Sequence, residues 1–279
     1  MTTPAIDPNT VLTGVWLKLG HGRNVLDILL KEIGRVVETG SASPPQINGD
    51  GTYSAIYAPT QEPYPEMGLL LGDFAHCARS ALDNLVTVLV LRNGGQPIKD
   101  NAFPIYTRRA DWKKNVIKRH SLGEGPLANV SQADYDAIEQ LQPFNDTSVA
   151  DPEDNLLAIL SRVNNADKHA MLHTAVAYSA PVDQKVLRVS PPTPVEIIWS
   201  REPFEALVPG TEQTRYRFVG PAPQGDWVVL INWPMIVQFT DHLGRAVPYF
   251  KLTAIYNAVG ETIDTCLGRK TDEGTAPSQ

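Results

Sequence analysis

Cysteine is scarce in this 279-residue chain: Cys77 and Cys266 occur in no CxxC or Cys/His spacing, which excludes a disulfide framework and a thiolate-rich metal site. Charge is sparse as well. Only 20% of the residues are charged, and 24 basic against 31 acidic side chains leave a net −7. That excludes a surface given over wholly to nucleic acid or anionic lipid. The longest strongly apolar run, Leu85 to Leu91, falls far below the ~20 residues that span a bilayer, so no membrane association is expected. The first twenty residues carry Asp7 and Lys18 around a short apolar stretch and lack the basic start and unbroken apolar core of a secretory signal. A cytoplasmic location is expected. No Walker A loop, GxGxxG after a strand, GxSxG elbow or HExxH pair occurs, and no cofactor is implied.

What the chain has in excess is proline, 23 residues or about 8% against a usual ~5%. Nine of them fall between Ala180 and Pro234, among the β-rich runs KVLRVS, VEIIW, RYRFV and WVVLINW, which predict a small antiparallel sheet. Elsewhere the apolar period is helical. Leu12, Trp16, Leu19, Leu26, Leu30, Ile33 and Val37 form a stripe on a long first helix, although Gly14, Gly20 and Gly22 weaken its start. After a loop, Thr52 to Tyr57 reads as a short strand.

The second helix, about Gly68 to Asn93, places Phe74, Ala78, Ala81, Leu82, Leu85 and Leu89 on one arc, and the NGG at 93–95 supplies a left-handed terminus. A short helix is expected over Ser131 to Leu141, stopped by Pro143. The third long helix is predicted from Pro152 to His169, with Asp151, Glu153 and Asp154 at its positive end. Pro248 is expected to open the last helix, on which Leu252, Ile255, Val259 and Ile263 share a face.

The fold class is therefore mainly α with a β-rich insertion (α+β), built on a four-helix-bundle core. Residues 1–173 would hold the first three long helices and 174–239 the insertion. Residues 240–267 would return as the final helix, and 268–279 would be a disordered tail.

Charge is unevenly spread. TRRADWKKNVIKRH, residues 107–120, has six basic residues against one acid, whereas Ser121 to Ser161 has eight acids and no Lys or Arg. Arg108, Arg109, Lys113, Lys114, Lys118 and Arg119 could draw phosphate to one side of the molecule, with Trp112 stacking on a base. The same segment could instead be solvated, or dock on the acidic stretch of its own or a neighbouring chain.

At 100° per residue, Leu156, Ile159, Leu160, Val163 and Ala166 share an arc of the third helix, and Asp167 falls inside it. A core-facing carboxylate requires a cation or several donors. Arg79, at the edge of the apolar face of the second helix, is the expected partner, with His76 and Asp83 further into the polar stripe. Such a pair is either a pin that fixes helix register or part of an active site. Arg162, Asn165 and His169 share the opposite face, where Arg162 and His169 lie two turns apart. They form either a solvated stripe or a pair able to act on one phosphodiester. Asp73 and His76 are one turn apart, but no recurring Glu-x-x-His pair accompanies them, and no metal site is expected.

GDFAHCARSALDNL, FPI at 103–105, LQPF at 141–144 and NNADKHAML at 164–172 together resemble an uncharacterised bacterial family that carries GDxLHNLRSALDHL, FPI, LQPY and NxDKHRxL in that order. The likeness covers roughly residues 68–173 and brings no established activity. Cys77, Ala78, Asn84 and Ala170 depart from the pattern. The chain is also similar, more loosely, to the HEPN superfamily (higher eukaryotes and prokaryotes nucleotide-binding), helical bundles that often carry an Arg, four to six residues, then His. Here VNNADK separates Arg162 from His169.

That likeness implies a metal-independent endoribonuclease, in defence or a toxin system, acting on RNA as a homodimer. Arg162 would hold the scissile phosphate and His169 would act as general acid or base, with His76, Arg79, Asp83 and Asp167 completing the candidate catalytic set. The alternative is a non-catalytic binding or assembly protein with a helical dimer interface.

Overall fold

A computed structural model describes residues 7–38, 45–59, 62–168, 174–179, 186–190, 193–202, 205–224, 228–232, 235–240 and 245–269, with backbone alone at 38, 167–168, 174, 186–190, 228–232 and 235. The expected disordered tail, 268–279, lies outside these residues beyond 269. Apolar residues at helical spacing form the long helices α1 (Pro8–Glu38) and α2 (Pro65–Arg92). Two short pieces, α3 (Arg109–Trp112) and α4 (Lys118–His120), flank a π-helical turn at Lys113–Ile117. There follow α5 (Gln132–Gln140), α6 (Leu156–Lys168) and α7 (Lys251–Leu267). The mainly α architecture with a β-rich insertion is the one that the sequence period predicts.

The chain forms two compact units. One comprises Met1–Asp27, Leu70–Leu172 and Phe250–Gln279, the other Ile28–Leu69 and His173–Tyr249. In the first unit, Val15 and Leu19 of α1, Phe74, Leu82 and Leu85 of α2, Ile159 and Val163 of α6, and Leu252, Ile255 and Val259 of α7 are all buried. At Gly22, a Cβ would stand 3.2 Å from that of Cys77, so the glycine that weakens α1 as an isolated helix lets α2 approach closely. Arg92 of α2 donates to the Cys266 carbonyl of α7 at 3.1 Å, and the Arg23 guanidinium of α1 lies 5.5 Å from the Tyr256 ring of α7. Gly94, at φ 72, ends α2 in the left-handed conformation expected of NGG. Among the described helices, α2 is long and apolar enough to cross a membrane, and 56% of its apolar window is buried within the protein.

The β-rich unit departs from a single small sheet. Its strands are β1 (Gln46–Ile47), β2 (Tyr53–Ile56), β3 (Thr174–Ser179), β4 (Val186–Ser190), β5 (Val195–Ser200), β6 (Glu212–Phe218), β7 (Val228–Asn232), β8 (Met235–Thr240) and β9 (Ala246–Pro248). They pair antiparallel in three sheets ordered β1-β2-β6-β5, β3-β8-β9 and β4-β7. The expected strand at 52–57 joins the later strands, because Ala55 packs with Tyr216 and Phe218 in one apolar cluster. Pro248 ends the edge strand β9, where no ladder donor is needed, and α7 begins only at Lys251.

The third helix is also shorter than expected. Pro152–Asp154 forms a separate 3₁₀ turn, and Asn155 is extended, at φ −60 and ψ 141. Its Oδ1 accepts from the N–H groups of Leu157 and Ala158 at 2.9 and 3.3 Å. An Asn cap therefore restarts the chain as α6, displacing the acid-and-proline start read from the sequence.

Candidate functional site

The sequence motifs meet on one segment of the helical unit. Asp83 of α2 accepts the Phe103 N–H through Oδ1 at 2.9 Å, and Arg79, one turn earlier, lies 2.9 Å from the same oxygen and donates to the Phe103 carbonyl. Gln142, of LQPF, is 1% exposed and holds Pro104 and Tyr106. Its Nε2 donates to the Pro104 and Ile138 carbonyls at 2.9 and 3.0 Å, and its Oε1 accepts the Tyr106 N–H at 3.0 Å. Residues 103–106 thus form a strip in which the Phe103 N–H and carbonyl, the Pro104 carbonyl and the Tyr106 N–H are satisfied by side chains from two other motifs, as buried polar backbone requires.

Among the described residues Arg79 engages this frame, because the i,i+4 step to Asp83 presents both side chains to residue 103; the expected Arg79–Asp167 pair depends on a side chain beyond them. The Asp167 side chain lies outside the described residues, as does His169.

The strip forms one wall of a polar groove of about 380 Å³, lined also by Arg79, Asp83, Ser161, Asn165 and Pro126. Oδ2 of Asp83, Nε and Nη1 of Arg79, the Ser161 hydroxyl and the Asn165 amide hydrogen-bond to no described residue and remain available to a ligand. Burial, and then the Asp111 carboxylate, raises the Tyr106 phenol, so it stays neutral.

Arg162 is not on an open stripe. Its side chain is 9% exposed, Nη1 donates to the Glu153 carbonyl at 3.2 Å, and the Glu153 carboxylate lies 3.8 Å away. The break at Asn155 folds the 3₁₀ turn back over α6, and Arg162 braces it. Glu153 also accepts from the Thr107 hydroxyl at 2.8 Å. His76 is exposed on α2 beside exposed Asp73. Among the described residues, no three His, Cys, Asp or Glu side chains gather to hold a metal ion.

Two residues after Tyr106, the basic segment begins. Trp112 is fully buried, against Tyr106, Tyr135 and Phe144 at centroid distances of 6.3, 5.7 and 6.0 Å, so its faces are closed to a base. The aromatic read as a stacking platform is the core of the α3 region, since a large apolar ring gains more by burial than by exposure. Arg109 pairs with Glu139 at 3.0 Å and lies over Phe144, and Arg119 pairs with Asp100. The exposed cations Arg108, Lys113, Lys114 and Lys118 make no ion pair with a described residue.

Gln142, Glu153 and Ser161 are site residues that sequence reasoning did not single out. LQPF pointed to the first of them, as a family motif without a role. Comparison with models of known families, with curated proteins and with solved structures finds no match to this chain.

Proposed function

We propose that this is a cytoplasmic, non-catalytic RNA-binding protein, and that the polar groove with the adjoining basic segment is its binding face. The observation that carries the reading is the junction of the two: a groove with donors and acceptors at Arg79, Asp83, Ser161 and Asn165 unused by described residues runs at Tyr106 into a segment, 108–118, with four exposed cations that make no ion pair with a described residue. Mixed donors and acceptors suit the edge of an unstacked base, and the cations suit the phosphates on either side of it. Trp112, buried among aromatic rings, takes no part. Arg79, Asp83 and Arg162 spend charged groups on holding backbone, which favours binding over catalysis.

One observation favours a second reading. Ser161 and Asn165 open on the same groove as Arg79, and His169 follows Asn165 by four residues in sequence, the spacing of one helical turn. An imidazole at that step would make the groove a HEPN-like ribonuclease site, cleaving through attack of the ribose 2′-hydroxyl without metal. Incubation of the purified protein with single-stranded RNA in EDTA separates the two. Binding with intact RNA supports the first reading. Cleavage abolished by both Arg79→Ala and His169→Ala, in variants that retain their fold, supports the second, and neither binding nor cleavage defeats both.

A further inference from the structure

A second cavity, of about 470 Å³, lies in the helical unit between α7 and residues 141–157, and takes no part in the reading above. Its α7 wall is one face of the helix, with Lys251, Ala258, Thr262 and Thr265 in line at steps of seven, four and three residues. At 1.5 Å per residue these positions span about 21 Å, so the cavity is a trough along the helix. Leu141, Val149, Leu156 and Leu157 give it an apolar floor, and Asp154 and Glu261 stand exposed at its rim.

Three observations fix the chemistry of an occupant. First, the rim carboxylates are uncommitted: Asp154 and Glu261 have no side-chain hydrogen bond or ion pair with a described residue. Asp146, the third acid, is already used, accepting from Ser148 and from the Asn155 amide at 2.6 and 2.7 Å. Asp154 precedes the N-terminus of α6 and also complements that helix end, but Glu261 sits inside α7, where no such role exists. Second, Thr262 is only 3% exposed, lines the trough, and its hydroxyl hydrogen-bonds to no described residue. The side chain is buried while its hydroxyl keeps access to the trough, where a ligand donor can reach it. Third, the floor between the acids is hydrocarbon, which favours a ligand with apolar stretches between its polar ends.

We propose that this trough binds a linear alkylamine of the polyamine class. Methylene segments would lie along Leu141, Leu156 and Leu157, ammonium groups would meet Glu261 and Asp154, and an amine N–H would donate to the Thr262 hydroxyl. Lys251, at one end of the row, opposes a cation there and sets where the chain stops.

The test is isothermal titration of the RNA-free protein with spermidine at fixed ionic strength. Saturable binding is expected, weakened at least tenfold in the Glu261→Gln/Asp154→Asn double variant and strengthened in Lys251→Gln. Ethylenediamine, which lacks the hydrocarbon stem, should bind much more weakly than spermidine. Absence of saturable binding would overturn the proposal, as would equal affinity in the double variant, or full displacement by magnesium at the same charge concentration. The two variants move affinity in opposite directions, so a general loss of folding cannot imitate the expected pattern.

Discussion

Asp83 and Phe103 are joined through the backbone: the carboxylate on α2 accepts the Phe103 N–H at 2.9 Å while Arg79 donates to the carbonyl of the same residue. A charged acceptor on a half-buried amide contributes about 1.5–3 kcal/mol. Asp83→Ala should therefore lower the unfolding free energy by about 2 kcal/mol in a urea titration. Asp83→Asn, which keeps an acceptor and loses the charge facing Arg79, should cost less. An unchanged midpoint in Asp83→Ala would mean that residue 103 is held by other contacts.

Gln142 satisfies three backbone groups at once, so its loss should cost more than that of a single hydrogen bond. Gln142→Leu leaves the Pro104 carbonyl and Tyr106 N–H without their partner in a buried setting, and a loss of about 2–4 kcal/mol is expected. Gln142→Glu should be no better, because an oxygen then faces the Pro104 and Ile138 carbonyls that Nε2 serves. Thermal denaturation of the two variants side by side checks both.

What could be read from the sequence follows from where the controlling interactions are local. Helix period, the Ser131 start and the NGG terminus depend on residues within a turn or two: α1, α2 and α7 form where apolar spacing places them, and α5 between Ser131 and Pro143. The Asn155 break was hidden by a stronger-looking signal three residues earlier, the Asp151–Pro152 start, which forms only a 3₁₀ turn. The engagement of Arg79 with residue 103 was missed for a different reason. Helical angle identifies which side chains share a face, but not that the strip at 103–106 carries unsatisfied backbone groups for them. Trp112 shows the same limit: a run of cations in sequence does not reveal that the aromatic among them points inward against Tyr106 and Tyr135.

Asp146 provides a pH dependence. The Ser148 hydroxyl, then the Asn155 amide and the Ser148 N–H, hold its carboxyl below the ordinary 3.8. A depressed folded pKa contributes stability that is complete above the unfolded value and is lost as pH falls through the folded one. The difference in melting temperature between the wild type and Asp146→Asn should thus narrow as pH is lowered from about 6 to about 3. A constant difference over that range would mean that the hydrogen bonds do not favour the ionised form.

Neither cysteine should react readily in the native protein. Burial pushes the Cys266 thiol up to about 12, and burial followed by the Asp73 carboxylate raises Cys77. At pH 8 only roughly one Cys266 in ten thousand is thiolate, so labelling by iodoacetamide should wait on unfolding. Mass spectrometry after a brief native pulse should find both thiols unmodified, and prompt labelling of Cys266 would show that its helix opens readily.

RNA binding by the groove and its basic segment is tested most directly by fluorescence anisotropy of a labelled single-stranded RNA in EDTA, titrated at several salt concentrations. The Arg108→Gln/Lys113→Gln/Lys114→Gln/Lys118→Gln variant changes only exposed positions that make no ion pair with a described residue, and should fold as the wild type does. If each cation meets one phosphate, the slope of log K against log salt should be shallower in the variant by about 2.8, at roughly 0.7 per phosphate for a single strand. Saturable wild-type binding with that reduction is the expected result. No saturable binding at low salt, or an identical slope in the variant, would contradict it.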